Sequence, residues 1–209
     1  MEFKKLANNT INFGINRIIE ILSLGIIIAG ILLLISLVSF SPDDPNFIFP
    51  DNTVIKNFLG FRGSFTSDLF FQSFGLIALL IPFSLIISGI NIFLNKKIFL
   101  IVESIFYTII YSSLGSLFFS FFYLTAFDLY INGNGGFIGK YLMATFLATI
   151  ININPKIFYY LLIFSILILF LISIQFKIIS FFKGIKKLFK FLFSKKERSY
   201  TNENEIISE

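Results

Sequence analysis

Asp43 and Asp44 stand side by side between Pro42 and Pro45, directly after an apolar run that ends at Phe40. Neighbouring carboxylates are raw material for general acid–base work. On an exposed turn between prolines, such a pair is expected to cap and solvate the chain rather than to move protons. A second concentration of charge is the lysine set Lys183, Lys186, Lys187 and Lys190, spaced by three and four. That spacing gathers them on one helix face, where they could meet phosphate, whether of lipid or of nucleic acid. Beyond these groups the inventory is short. Cysteine and histidine are both absent, which removes disulfides, thiolate nucleophiles, imidazole bases and the usual zinc and haem sites. There is no phosphate-binding loop, no dinucleotide fingerprint and no metal-spaced acidic cluster. The expectation is a chain with no catalytic residues, no cofactor and no metal site.

The elements that carry these residues are set by hydropathy. Of 209 residues, 56% are hydrophobic and 14% charged, with mean hydropathy +0.87. A soluble domain carries about 25% charged residues, so the composition is that of a membrane protein. Four runs lack Asp, Glu, Lys and Arg altogether: residues 21–42, 69–95, 104–127 and 157–176. Each reaches the roughly 20 residues needed to cross about 30 Å of hydrocarbon. The expected fold is an all-α membrane protein with four transmembrane helices, at about 20–40, 69–95, 103–127 and 157–176. The first run is too long for a signal-peptide core and lacks a small-x-small cleavage site, so it reads as a signal anchor.

Charge orients the bundle. Four spans put both termini on one side, and that side collects most of the 17 basic residues. The other side holds only Lys56, Arg62, Lys140 and Lys156. The positive-inside rule then places residues 1–19 and 177–209 in the cytoplasm. Glu20 and Glu103, at cytoplasmic edges of spans, read as anchors at the headgroup level. Residues 41–68 form a turn-rich external loop. In the second external segment, the Asn-Gly-Asn-Gly-Gly turn at 132–136 precedes the apolar stretch 141–154, too short to span with ease. A re-entrant or interfacial helix is preferred there over a fifth span, which would carry the basic C-terminus outside. Pro82 within the second span is expected to kink it, as a structural bend.

After the fourth span, residues 177–194 read as an amphipathic helix. Its Lys183, Lys186, Lys187 and Lys190 face oppose Phe181, Phe182, Ile185, Leu188, Phe189 and Leu192. Either it lies on the anionic inner leaflet or it is a plain stop-transfer flank. Interleaving with Phe beside a span suits lipid, so direct contact with nucleic acid is not expected. Residues 199–209, polar and acidic, read as the start of a linker.

The external loops also carry a resemblance. Leu33 to Phe40, followed by Ser41-Pro42-Asp43-Asp44-Pro45, resembles the end of the first span in the N-terminal membrane domain of FtsK/SpoIIIE-type DNA translocases. Asn57 to Asp68, with Gly60, Gly63 and Asp68, is similar to that family's Asn-Leu-Gly-x-x-Gly-x-x-x-Ala-Asp pattern, Ser67 standing at the Ala position. Leu69 to Phe74 and Gly75 resemble its Leu-Phe-x-x-Phe-Gly, and Gly135, Gly136 and Gly139 its Gly-Gly-x-x-Gly. The same residues also read as plain turns and caps, with Thr66, Ser67 or Asp68 expected to cap the second helix.

The resemblance implies a septal membrane anchor that self-associates, meets division proteins and supports cell division and chromosome segregation. The family's ATP-hydrolysing motor has no counterpart in the text up to Glu209, so its activity is not carried over. The competing reading is a small transporter or channel component. It would draw on Gln72, Ser73, Ser84, Ser88, Asn91, Thr108, Ser112, Ser113, Ser116, Ser120 and Thr125, though serines in spans equally serve as small packing residues.

Overall fold

The structure is a computed structural model, and it describes residues 2–45, 54–124, 132–176 and Lys186. Every element among the described residues is helical. In chain order these are α1 (Glu2–Val38), α2 (Gly60–Phe74), a 3-10 segment (Gly75–Leu80), α3 (Ile81–Asn95), α4 (Phe99–Phe122), α5 (Gly136–Met143), α6 (Phe146–Ile153) and α7 (Pro155–Ser173). Among the described residues, four stretches are long and apolar enough to cross a membrane, Thr10–Val38, Gly60–Asn95 with its internal break, Phe99–Phe122 and Pro155–Ser173, and the bent pair α5 and α6 would make a fifth if taken as one span. The protein is an all-α membrane protein.

Two antiparallel pairs build the bundle, α1 with α3 and α4 with α7. Small residues let the first pair close. A Cβ on Gly30 would lie 2.8 Å from Ile86, and one on Gly89 would lie 2.7 Å from Ile27. Lipid tails supply no hydrophobic drive between helices, so close backbone approach and hydrogen bonds must hold them. Buried hydroxyls do this throughout: Ser84 meets the Tyr111 hydroxyl at 2.8 Å and Thr108 meets Ser173 at 2.8 Å. Asn91 donates to the Ile174 carbonyl at 2.8 Å, tying α3 to the end of α7. Other span serines bond back within their own helix, Ser88 to the Leu85 carbonyl and Ser112 and Ser113 to that of Ile109.

The two ends of the bundle differ. At one, here the turn end, α3 passes to α4 through Lys96, whose backbone is left-handed at φ 54°. There Glu20 of α1 is paired with Arg17 and with Lys96, whose Nζ lies 2.7 Å away. At the other, the loop end, short helices are layered on the spans. Gly63 of α2 lies against Ser36, and the Phe71 ring packs on Phe40 at 4.9 Å between centroids. Both ends of α2 therefore sit beside the last turns of α1. Helices α5 and α6 meet at 75°. Gly139 of α5 lies against Ser116 and Ser120, and Ile151 of α6 joins a cluster with Leu117, Phe118 and Leu162.

Four expectations are corrected. Helix α2 begins at Gly60, so Thr66, Ser67 and Asp68 lie inside it and none caps it. The two hydroxyls instead bond back into the helix, Thr66 donating to the Arg62 carbonyl at 2.7 Å and Ser67 to that of Gly63 at 2.9 Å, while the Asp68 carboxylate accepts from Gln72 at 3.4 Å. The second span does not kink at Pro82. It breaks at Gly75, where φ is +70°, and runs as 3-10 helix to Leu80. Pro82 falls in the first turn of α3, where its missing donor costs nothing. The apolar stretch at 141–154 is two short helices rather than one, because Thr145 stops one and caps the next, accepting from Leu147 N at 3.3 Å. Finally, Asp44 is not on an exposed turn: it is 1% exposed. The amphipathic helix expected at 177–194, with Lys183, Lys187 and Lys190, lies outside the described residues; Lys186 is helical and exposed.

Candidate functional site

Two joints at the loop end gather the residues that the sequence marks. The first ties the end of α1 to the start of α2. Past Val38 the chain turns at Ser41-Pro42-Asp43-Asp44-Pro45, with Asp44 N donating to the Ser41 carbonyl at 3.2 Å. That turn aims the Asp44 carboxylate inward. Its two oxygens accept from the backbone N–H groups of Lys56 and Asn57, each at 2.8 Å. Asn57, also buried, donates to the carbonyls of Ser36 at 2.9 Å and Ser39 at 3.3 Å. It thereby satisfies orphan carbonyls at the end of α1. Its own side-chain oxygen accepts from Leu59 N at 3.1 Å.

The glycines of this joint are there for approach. A Cβ on Gly63 would fall 2.1 Å from the Asn57 side-chain oxygen, and Ser36 Oγ donates to the Gly63 carbonyl at 2.6 Å. Gly60 holds φ at +63° as α2 starts. Ser64 closes the ring by donating to the Pro45 carbonyl at 2.9 Å. Asp43 faces solvent and pairs with Lys56 Nζ at 2.8 Å. That hydrogen bond and its charge raise the Lys56 ammonium above the ordinary lysine value.

The second joint fills the break in span two with the second loop. Where α2 ends at Phe74 and Gly75, helical hydrogen bonding is interrupted, and in hydrocarbon the released groups need partners. Leu76 N donates to the Asn134 carbonyl at 2.9 Å. Ser116 Oγ of α4 donates to the Phe74 carbonyl at 2.9 Å. Asn132 donates from its side chain to the Gln72 carbonyl at 3.4 Å and from its backbone to the Gln72 side chain at 3.3 Å. The buried Asn134 side chain donates to the Tyr123 carbonyl. A Cβ on Gly75 would lie 1.9 Å from the Asn134 carbonyl oxygen. Cβ atoms on Gly135 and Gly139 would strike Ser116 and Ser120 within 2.3 Å, and Gly136, at φ +65°, lies against Ser73.

The structure thus unites Ser41 to Pro45 with Gly60 and Gly63, and Phe74 and Gly75 with Gly135, Gly136 and Gly139. Asp68 stands between the joints, buried on α2, with Gln72 Nε2 donating to it at 3.4 Å. Asn57, Asn134, Ser36 and Ser116 complete the joints; none was singled out for them, and Ser116 was weighed only as a polar residue of a transport path. Asn57 and Asn134 had a signal, since each opens or sits within a Gly-containing turn; the partners of the two serines, Gly63 and Phe74, lie far along the chain and leave no local mark. Among the described residues, no group of three His, Cys, Asp or Glu could hold a metal. The arrangement is mechanical: it locks two loops onto the ends of helices.

The model of the 4TM region of DNA translocase FtsK/SpoIIIE matches residues 16–186. A DNA translocase FtsK of Rickettsia bellii is 32% identical over 190 residues, which is 90% of this chain and 24% of that protein. A DNA translocase FtsK of Rickettsia typhi is 36% identical over 64 residues, 31% of this chain and 9% of that protein. The chain thus spans about a quarter of the length of the first relative it matches. No solved structure matches it.

Proposed function

This chain belongs to the family of the 4TM region of DNA translocase FtsK/SpoIIIE, and on that premise we propose that it anchors an FtsK-like translocase at the division septum. In this reading it supports cell division and chromosome segregation by fixing the site at which a motor works. It is multi-pass in a bacterial membrane, with residues 1–19 and 177–209 in the cytoplasm, and it self-associates and meets division proteins at the septum. The ATPase chemistry lies with the family's motor, which is outside the matched region.

The observation that carries the reading is the pairing of the loop motifs. Gly75 and Gly135-Gly136, some sixty residues apart, interlock so closely that a Cβ on Gly75 would meet the backbone of Asn134 and Gly135, and one on Gly136 that of Ser73 and Gly75. A membrane module whose loops are packed so closely onto its helices suits a platform better than a conduit. Helices α5 and α6 are read as an interfacial cap: their contacts fall on the last two turns of α4, and α7 still runs antiparallel to α4. The test is a fluorescent fusion of the chain in a dividing rod-shaped bacterium. Enrichment at midcell during constriction is expected, and an even distribution round the envelope at every stage would refute the septal role.

A further inference from the structure

A cleft at the loop end has the form of a lipid site. It measures about 340 Å³ and opens under α2, between α1 and α3. Ala29, Leu32 and Leu33 of α1, Phe70 of α2 and Leu85 of α3 give it apolar walls, and Arg62 stands at its rim. Arg62 is exposed and takes part in none of the ion pairs of the described residues. The nearby carboxylates are committed elsewhere, Asp43 to Lys56 and Asp44 to two backbone amides.

Depth in the bilayer follows from the contacts of α2. Arg62 adjoins Gly63, which is level with Ser36, two residues from the end of α1. Ala29 lies seven residues deeper, about 10 Å at the helical rise. The cleft therefore runs from the surface of a leaflet down into its tail region. The exposed rings of Phe61 and Phe65, stacked at 6.5 Å, flank Arg62 and would be rejected by water, which keeps this end of α2 within lipid.

We propose that this cleft holds one anionic phospholipid of the leaflet at the loop end, its phosphate on Arg62 and an acyl chain along Leu32, Ala29 and Leu85. A guanidinium matches a phosphate with two parallel hydrogen bonds, and the pairing strengthens away from bulk water. The walls below Arg62 are almost wholly apolar and lie at tail depth, a setting that an acyl chain fills without leaving a polar group unpaired, whereas a protein segment would bring backbone N–H and C=O groups that need partners there. The site uses none of the lysines that the sequence gathers after α7, and it does not depend on septal localisation.

The chain has no tryptophan, so Leu32→Trp gives a single reporter in the cleft, and Phe164→Trp, on the exposed side of α7, gives a control. Each full-length variant is reconstituted in phosphatidylcholine vesicles containing a small fraction of brominated phosphatidylglycerol or brominated phosphatidylcholine. Brominated phosphatidylglycerol should quench the Leu32→Trp reporter with about fivefold higher apparent affinity, the scale of one basic residue acting on anionic lipid. The control should show no preference. Adding Arg62→Gln should abolish the preference, and Arg62→Lys should retain part of it. Arg62 is exposed, so neither change threatens the fold. Equal quenching by the two lipids, a preference that survives Arg62→Gln, or the same preference at the control would each overturn the proposal. Shielding of the reporter from both lipids would do so too, by showing that protein fills the cleft.

Discussion

Asp43 and Asp44 are adjacent, carry the same charge, and have opposite roles. The Asp43 carboxylate is largely solvated and holds Lys56 by a surface ion pair, a type of contact that contributes little. Asp44 is out of water and is compensated by two backbone N–H groups at 2.8 Å. Removing it would leave the Asn57 donor buried and the Lys56 donor part-buried without a partner, and hydrogen bonds to a charged group are worth about 1.5–3 kcal/mol each. Asp44→Ala is therefore expected to lower unfolding stability by about 3 kcal/mol, read by chemical or thermal unfolding in detergent. Asp43→Ala should leave the transition unmoved. Alkali offers a parallel check on the exposed pair. The Lys56 pKa is raised by its partner, so the stabilisation is full below the ordinary lysine range and fades as pH rises through the raised value. Between neutrality and that range, stability should not depend on this pair's titration. A loss of stability near neutral pH that Lys56→Met removes would contradict the assignment.

The break in span two shows what an element owes to its neighbours. Gly75 holds φ +70° and ψ −148°, a region closed to side chains, and the Asn134 carbonyl occupies the place of a Cβ. Gly75→Ala must both strain the backbone and push out the loop, so a loss of about 3 kcal/mol or more is expected in the same unfolding assay. Gly25→Ala is the contrast. Nothing lies within 4 Å of its Cβ position, and helix propensity predicts a gain of up to about 1 kcal/mol. The four spans were legible in the sequence because hydropathy is a property of twenty residues at once. The joints were legible only as patterns. That Gly75 must be glycine depends on Asn134, and the burial of Ser64, Ser67 and Asp68 depends on partners in other segments. Read locally, those polar residues mark a loop, which is why α2 is longer than expected. Thr145 before the apolar Phe146–Ile153 was a local cap signal that would have divided the stretch at 141–154 correctly.

At the scale of the molecule, the proposal of four crossings rests on the layering of α2, α5 and α6 on one end of the bundle. Tyr123 and Tyr159 meet at 2.8 Å where α4 ends and α7 begins, and Thr108 meets Ser173 at 2.8 Å near the opposite ends. Helix α7 is thus antiparallel to α4, and Lys156 must lie on the side to which α4 delivers the chain. If α5 and α6 together formed a fifth span, Lys156 would be on the other side, with Lys97. The absence of cysteine makes the distinction measurable with single introduced thiols. Asn134 is unsuitable because it is fully buried, but Asp43, Lys97, Lys140 and Lys156 are all exposed. In intact spheroplasts, a membrane-impermeant maleimide should label cysteine at 43, 140 and 156, and should reach 97 only after lysis. Labelling of 156 together with 97, apart from 43, would establish the fifth span and dismantle the interfacial cap. Labelling of 97 alone in intact spheroplasts would keep four spans but reverse the bundle, placing the Glu20–Lys96 contact outside and the Arg62 cleft in the inner leaflet.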